Sequence, residues 1–279
     1  MIVLNTIKEV RDCLKDYRRQ GKSIGLVPTM GYLHEGHGSL IQRCRQENDI
    51  VVVSVFVNPT QFGPNEDLEA YPRDFQRDSQ LCEELGCDII FHPEPSEMYK
   101  NLYTYVNIET LSDHLCGQTR PIHFKGVCTV VSKLFHIVQP DRAYFGEKDA
   151  QQLAIIKKMV IDLDFDIEIV GCPIIREEDG LAKSSRNVYL NKEERQAALC
   201  LYHSIQKGKE LIHKDMKAND LIDEMKKIIY SEPLARIDYV SVVDALTLQD
   251  VEVIDQDVLV AMAVYIGKTR LIDNFSYKV

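Results

Sequence analysis

The sequence predicts an α/β protein, a doubly wound parallel sheet followed by a smaller α+β C-terminal domain, and three observations carry that reading. Short, almost unbroken apolar runs rich in β-branched residues, best seen at 50–57 (IVVVSVFV), suit strands covered on both faces. Up to residue 175 such runs alternate with helical patterns, and that alternation builds a parallel sheet whose ligands bind outside the carboxyl ends of its strands. Beyond residue 176 the rhythm changes to two helices and then three strand-like runs, the order of a small α+β unit.

Taken in order, the run 23–27 (SIGLV) is the first strand, followed by a glycine-containing turn and a helical pattern opening at Ser39. The run 50–57 is the second strand, ended by Asn58–Pro59. Asp74 is placed to cap a helix that runs to Leu85, where Gly86 stops it, and 88–91 (DIIF) is the next strand. Val127, Val131, Leu134 and Val138 recur at helical spacing and predict a helix over 126–138. A strand at 143–145, a helix carrying Leu153, Ile156, Val160 and Leu163, and a strand at 166–172 complete the first domain, 1–175. In the second domain, 176–279, one long amphipathic helix starts at Asn191 and carries Ala198, Leu201, Ile205 and Ile212; another carries Leu221, Met225 and Ile228. Strands follow at 237–243, 258–266 and 270–275, and the charged segment 176–180 (REEDG) is the expected hinge.

The 279 residues, 45% of them hydrophobic, suffice to bury a large core. A formal charge of −10 argues against a nucleic-acid or membrane partner and leaves room for a local basic cleft, which is enough for small anionic substrates. The eight cysteines are scattered with no C-x-x-C pair, which predicts reduced core thiols in a cytoplasmic protein. Lys8 and Glu9 charge the N-terminal stretch, and no apolar run approaches the roughly 18 residues that cross a membrane, so neither export nor anchoring is expected.

The chemistry gathers at the ends of predicted strands. Residues 28–37 (PTMGYLHEGH) join a strand to a helix start, where unpartnered N–H groups and the helix dipole favour a polyphosphate. His34 and His37 can donate to phosphate oxygens, and Gly36 allows close approach to the backbone. A metal pair or a purely structural pair are the alternatives, although no Cys or carboxylate completes a zinc pattern. Gly146, Glu147, Lys148 and Asp149 form a second strand-to-helix turn in which Lys148 can neutralise phosphate; a solvated turn fits the same residues. Lys183, Ser184, Ser185 and Arg186 have a phosphate-gripping composition and also fit an exposed loop. Asn58 and Gln61, at the end of the second strand, suit hydroxyls and a carboxylate, or simply end the strand. Gly21-Lys22-Ser23 precedes its strand and lacks the glycine of a P-loop at position 16; no G-x-S-x-G of a serine hydrolase occurs.

Together 28–37 (PTMGYLHEGH), 53–62 (VSVFVNPTQF), 71–74 (YPRD), 130–160 (VVSKLFHIVQPDRAYFGEKDAQQLAIIKKMV), 180–190 (GLAKSSRNVYL) and 269–274 (TRLIDN) closely resemble, in order and across nearly the whole chain, the pantothenate synthetase (pantoate–β-alanine ligase) family of the HxGH nucleotidyltransferase superfamily. The resemblance implies a Rossmann-like ATP- and pantoate-binding domain, a C-terminal domain acting partly as a lid, and a homodimer. The implied reaction condenses (R)-pantoate with β-alanine through a pantoyl adenylate, consuming ATP with Mg²⁺ and releasing AMP and pyrophosphate.

Carried onto this sequence, the resemblance implies that Met30, Gly31, Tyr32, Leu33, His34, Glu35, Gly36 and His37 line the ATP site, with His37 the catalytic histidine beside His34 and Lys148. It further implies that Gly146, Glu147, Lys148 and Asp149 hold ribose and phosphate, Ile175 the adenine edge, and Lys183, Ser184, Ser185 and Arg186 the phosphates. Gln61 and Gln152 match the glutamines that hold pantoate, with Asn58 beside them, and Asp78 aligns with a carboxylate region linked to magnesium, although Arg77 and Leu81 depart from that pattern. Gly38, Ile122 and Lys183 are further departures, and none removes a group the chemistry requires. A related enzyme that stops at the adenylate would give no reason for the two glutamines, and a non-catalytic nucleotide-binding module would not need the catalytic groups that are all present here.

Overall fold

Apolar β-branched runs pair side by side, and the polar loops between them are left at the strand ends. The structure of the protein, a computed structural model, describes residues 1–64 and 66–279. The elements run β1 (Ile2–Leu4), α1 (Ile7–Arg19), β2 (Ile24–Thr29), α2 (Glu35–Glu47), β3 (Ile50–Val55), α3 (Phe75–Glu84), β4 (Ile89–Phe91), α4 (Pro95–Met98) and α5 (Cys116–Thr119). Next come α6 (His123–Val138), β5 (Arg142–Gly146), α7 (Ala150–Asp162) and β6 (Glu168–Cys172). The chain ends with α8 (Lys192–Ala197), α9 (Leu199–Leu211), α10 (Ala218–Tyr230), β7 (Ala235–Asp244), β8 (Val258–Ile266) and β9 (Thr269–Tyr277). It divides into two compact units: Met1–Ile108, Arg120–Glu147 and Gln152–Pro173 in the first, Glu109–Thr119, Lys148–Gln151 and Ile174–Val279 in the second.

The first unit is a six-stranded sheet in the order β1-β4-β3-β2-β5-β6, with every pair parallel. Val27 faces Val53 on β3, and Leu26 faces Ala143 on β5, so the strand order reverses at β2. Such a reversal leaves a crevice outside the carboxyl ends of the diverging strands, where loops carry the chemistry of this fold class. Val27, Val51, Val53 and Ile90 are fully buried, each worth about 1.5–3 kcal/mol relative to exposure. At Gly25 an added Cβ would lie 2.3 Å from Cys44 Sγ and 2.7 Å from Asn48 Nδ2, so only glycine lets α2 lie this close to β2.

Four elements have no counterpart in the sequence reading: the short helices α4 and α5, the strand β1 and, longest of them, the helix α1. The helix carries a T-x-x-E capping box, in which Thr6 accepts from Glu9 N and Glu9 accepts from Thr6 N. Helix α2 starts at Glu35, ahead of the expected Ser39, because His34 supplies the cap. Helix α6 starts at His123, ahead of the expected 126. Six cysteines are buried and two half-buried; burial pushes the Cys128 thiol up to about 12.

The second unit is an antiparallel sheet, β7-β8-β9, packed against helices. Val242, Val260, Leu271 and Phe275 share its core with Leu201 and Ile205 of α9 and Leu221 and Met225 of α10. The single helix expected from Asn191 is two helices, joined at Ala198, where Leu201 N bonds to Ala198 O and interrupts the four-residue ladder. On α10 the buried stripe is Ala218, Leu221, Met225 and Ile229; Ile228, expected on that stripe, lies one step off it and is half-buried.

Candidate active site

In the first unit the loop after β2 is folded around a buried carboxylate. Thr29 Oγ1 donates to Ser54 O at 2.7 Å and accepts from Gly31 N at 3.2 Å. Gly31 and Tyr32 then turn through positive φ, at 82° and 49°. The turn brings the next amides onto Asp78 of α3, whose oxygens accept from Tyr32 N at 2.7 Å and Leu33 N at 2.6 Å. Burial pushes the Asp78 carboxyl up, and the two backbone amides pull the other way. The neighbouring Arg77 guanidinium lies 5.1 Å from the Tyr32 ring centre.

The loop hands the chain to α2 at His34, which is extended and caps the helix. Gly36 N donates to His34 Nδ1 at 3.1 Å, and His34 N donates to His37 Nδ1 at 3.3 Å, a capping box built from two imidazoles. An Nδ1 that accepts a hydrogen bond leaves the proton of a neutral imidazole on Nε2. Both rings therefore carry an Nε2–H donor at a helix start, with ring centres 4.1 Å apart. That is a geometry for anionic oxygen.

The loop after β3 holds Gln61 just as firmly. Its Nε2 donates to Met30 Sδ at 3.1 Å, and its Oε1 accepts from Asn58 Nδ2 at 3.0 Å. Asn58, expected among the substrate contacts, is 1% exposed and spends its amide on the protein. Nδ2 also donates to Gly126 O, and Oδ1 accepts from Thr60 N, Thr60 Oγ1 and Tyr99 O–H, the last at 2.6 Å. Burial pushes the Tyr99 phenol up to about 12 and keeps it a donor. His123 Nδ1–H donates to Gln61 O at 3.0 Å, and at Gly126 an added Cβ would meet Thr60 O at 2.4 Å. Gln152 is half-buried in the first turn of α7.

The second unit contains Lys148, Asp149 and 183–186. Lys148 Nζ lies 3.8 Å from Asp149 Oδ2, and Lys148 O accepts from Asn274 Nδ2 at 2.9 Å. Gln151 is structural, accepting from Cys116 N and donating to Leu111 O and His114 O. Residues 175–183 form a tight turn in which Lys183 N donates to Ile175 O, Glu177 N to Leu181 O and Gly180 N to Glu177 O. Gly180 has φ 95°, and a Cβ there would strike the Tyr202 ring at 2.1 Å. Arg176 forks onto Asp273 at 2.7 and 2.9 Å and also donates to Gly180 O. Lys183 pairs with Glu177 at 3.2 Å; Ser184 accepts from Arg186 N at 3.2 Å, and Ser185 is buried.

The supports that residue patterns missed are Tyr99, His123, Arg176, Asp273 and Asn274. TRLIDN at 269–274 stood out as a segment without a role, and the segment beginning at Arg176 was read only as a charged hinge.

A sequence model described as pantoate-beta-alanine ligase matches residues 2–276. A pantothenate synthetase of Ruminiclostridium cellulolyticum is 64% identical, with 98% of each chain covered, and one of Clostridium botulinum (strain Kyoto) is 59% identical over the whole of both chains. Among solved structures, the pantothenate synthetase of Thermus thermophilus superposes with a TM-score of 0.93 at 44% identity, covering 99% of each chain. The Francisella tularensis pantoate-beta-alanine ligase, complexed with beta-gamma ATP and beta-alanine, gives 0.81 at 35%, covering 99% of this chain and 97% of that one. Strand–loop–helix geometry, paired histidines and whole-length similarity converge: this chain belongs to the pantoate–β-alanine ligase family.

Proposed function

We propose that the protein condenses (R)-pantoate with β-alanine at the expense of ATP, through a pantoyl adenylate. The observation that carries this reading is the imidazole pair, whose Nδ1 atoms are tied to backbone amides so that both Nε2–H groups are donors at the start of α2. Donors fixed before the reaction cost no reorganisation when charge moves onto a leaving pyrophosphate.

In this reading Gln61 and Gln152 hold pantoate, and Asn58 acts from behind by fixing the Gln61 amide. The pantoate carboxylate attacks the α-phosphorus, and pyrophosphate leaves against His34, His37, Lys148, Arg186 and the helix amides. The amine of β-alanine then attacks the acyl carbon of the adenylate and AMP departs. Residues 30–37, 146–149, Ile175 and 183–186 are the nucleotide contacts of this proposal.

Mg²⁺ fits as the ion that travels with the triphosphate. Asp78 is spent first on the loop, its oxygens accepting backbone N–H at 2.6 and 2.7 Å, and among the described residues it stands alone and not in a cluster of ligands. Among the described residues no group of three or more His, Cys, Asp or Glu could hold a metal ion. No helix among the described residues is long and apolar enough to cross a membrane. A cytoplasmic homodimer is part of the same proposal.

The test is isotope exchange between pyrophosphate and ATP. Exchange should require pantoate and Mg²⁺ but not β-alanine; a requirement for β-alanine would overturn the two-step order.

A further inference from the structure

We infer that Asp273 and Asn274, adjacent on β9, are positioning residues that hold the Lys148 turn and the 176–186 segment for catalysis. The inference rests on the reading that Lys148 and 183–186 touch the nucleotide.

Neighbouring residues of a strand project from opposite faces of the sheet. Asp273 shares a face with Leu271 and Phe275, both core residues, so its carboxylate is carried to the apolar side and is 2% exposed. A charge placed there requires a partner, and Arg176 supplies both N–H groups of its fork. The same guanidinium donates to Gly180 O, so one buried pair closes the turn from which 183–186 departs. A buried ion pair is a weak device for stability compared with apolar residues of the same volume, but it fixes direction and distance.

Asn274, 7% exposed, points the other way and donates Nδ2–H to Lys148 O at 2.9 Å, across 126 positions of sequence. Asp273 Oδ1 also accepts from Asn274 N at 2.8 Å, which joins the two arms at their root. A backbone carbonyl held in this way sets where the Lys148 side chain starts. A displacement of about 1 Å in such a group can cost up to 10²-fold in rate.

The experiment measures pantoate-dependent pyrophosphate exchange and melting temperature in Asn274→Ala, Asn274→Asp, Lys148→Ala and the double variant Asn274→Ala/Lys148→Ala. Asn274→Ala and Asn274→Asp, which both lack the donor, should each slow exchange about tenfold at saturating ATP and pantoate, in protein that still melts cooperatively. Because Asn274 acts through Lys148, the double variant should be no slower than Lys148→Ala within about twofold. Multiplicative losses, or normal exchange in both Asn274 variants, would overturn the Asn274 arm. Normal exchange in Lys148→Ala would instead overturn the site reading beneath it. For the other arm, Asp273→Asn should raise the KM for ATP about tenfold and leave that for pantoate unchanged; Arg176→Lys, which keeps the charge but loses the fork, should do the same if Asp273→Asn does not fold. An unchanged KM for ATP, or an equal rise for both substrates, would overturn this arm.

Discussion

The loop after β2 and the paired loops of the second unit present similar groups by different means. In the first, many restraints come from close neighbours, with Thr29 holding Gly31, His34 holding Gly36 and His37 holding His34, while Asp78 is the buried carboxylate that anchors the turn from farther along the chain. In the second, Lys148 and 176–186 depend on β9, across 126 and 97 positions. A site can thus be preorganised by a contiguous motif or by a sheet that knows nothing of the motif. The two should fail differently when mutated.

The largest effect belongs to the contiguous motif. His37→Ala removes one preorganised donor and should slow adenylate formation by about 10²–10³-fold with little change in melting temperature. A large fall in melting temperature with near-normal turnover would make the imidazole pair a structural cap and remove the contrast between the two regions.

Asp78→Asn sharpens the comparison, because it disturbs the carboxylate that anchors the first loop from α3. One amide position must turn an NH₂ toward Tyr32 N or Leu33 N, so exchange should fall by about tenfold or more as the loop shifts. Stability should follow another course. Burial raises the Asp78 carboxyl, so the folded protein binds more protons than the unfolded chain above the ordinary Asp value of about 3.9. The Asp78 contribution to stability therefore falls as pH rises from that value to the raised one, and is level beyond it. Denaturant titrations of wild type and Asp78→Asn across this range should show the wild type losing ground to the variant as pH rises; a gap of opposite slope would refute the burial argument.

The smallest effect is expected at Lys183. Its partner Glu177 is about a third exposed, so Lys183→Met should change stability by about 1 kcal/mol or less. ATP binding measured by calorimetry should weaken only severalfold, because Lys183 is one of several proposed nucleotide contacts, is already paired with Glu177, and sits on a turn closed by backbone bonds and by Arg176. A loss of tenfold or more in ATP affinity would make Lys183 the dominant cation of the phosphate grip and make the second region depend on its own motif after all.

Much of this was legible without coordinates. The β-branched runs at 50–57 and 258–266 became β3 and β8 because a strand buried on both faces has no other composition available to it. Asp74 capped α3 as its chemistry demands, accepting from Arg77 N. Other features were local yet overlooked: the capping box at Thr6 and Glu9, and the start of α2 at a histidine cap in place of Ser39. The break at Ala198 carried no signal, since alanine favours helix on either side of it.

By itself the sequence determined the elements, the parallel rhythm, the α+β tail and the motif that gathers His34 and His37 at one helix start, because each is a relation among residues a few positions apart. Only the tertiary structure decided that Asn58 supports Gln61 from within, that Asp78 is the peg of the first loop, and that β9 holds Lys148 and Arg176. Those roles depend on which polar atoms are buried beside one another, and burial brings together residues whose separation along the chain says nothing about their distance in space.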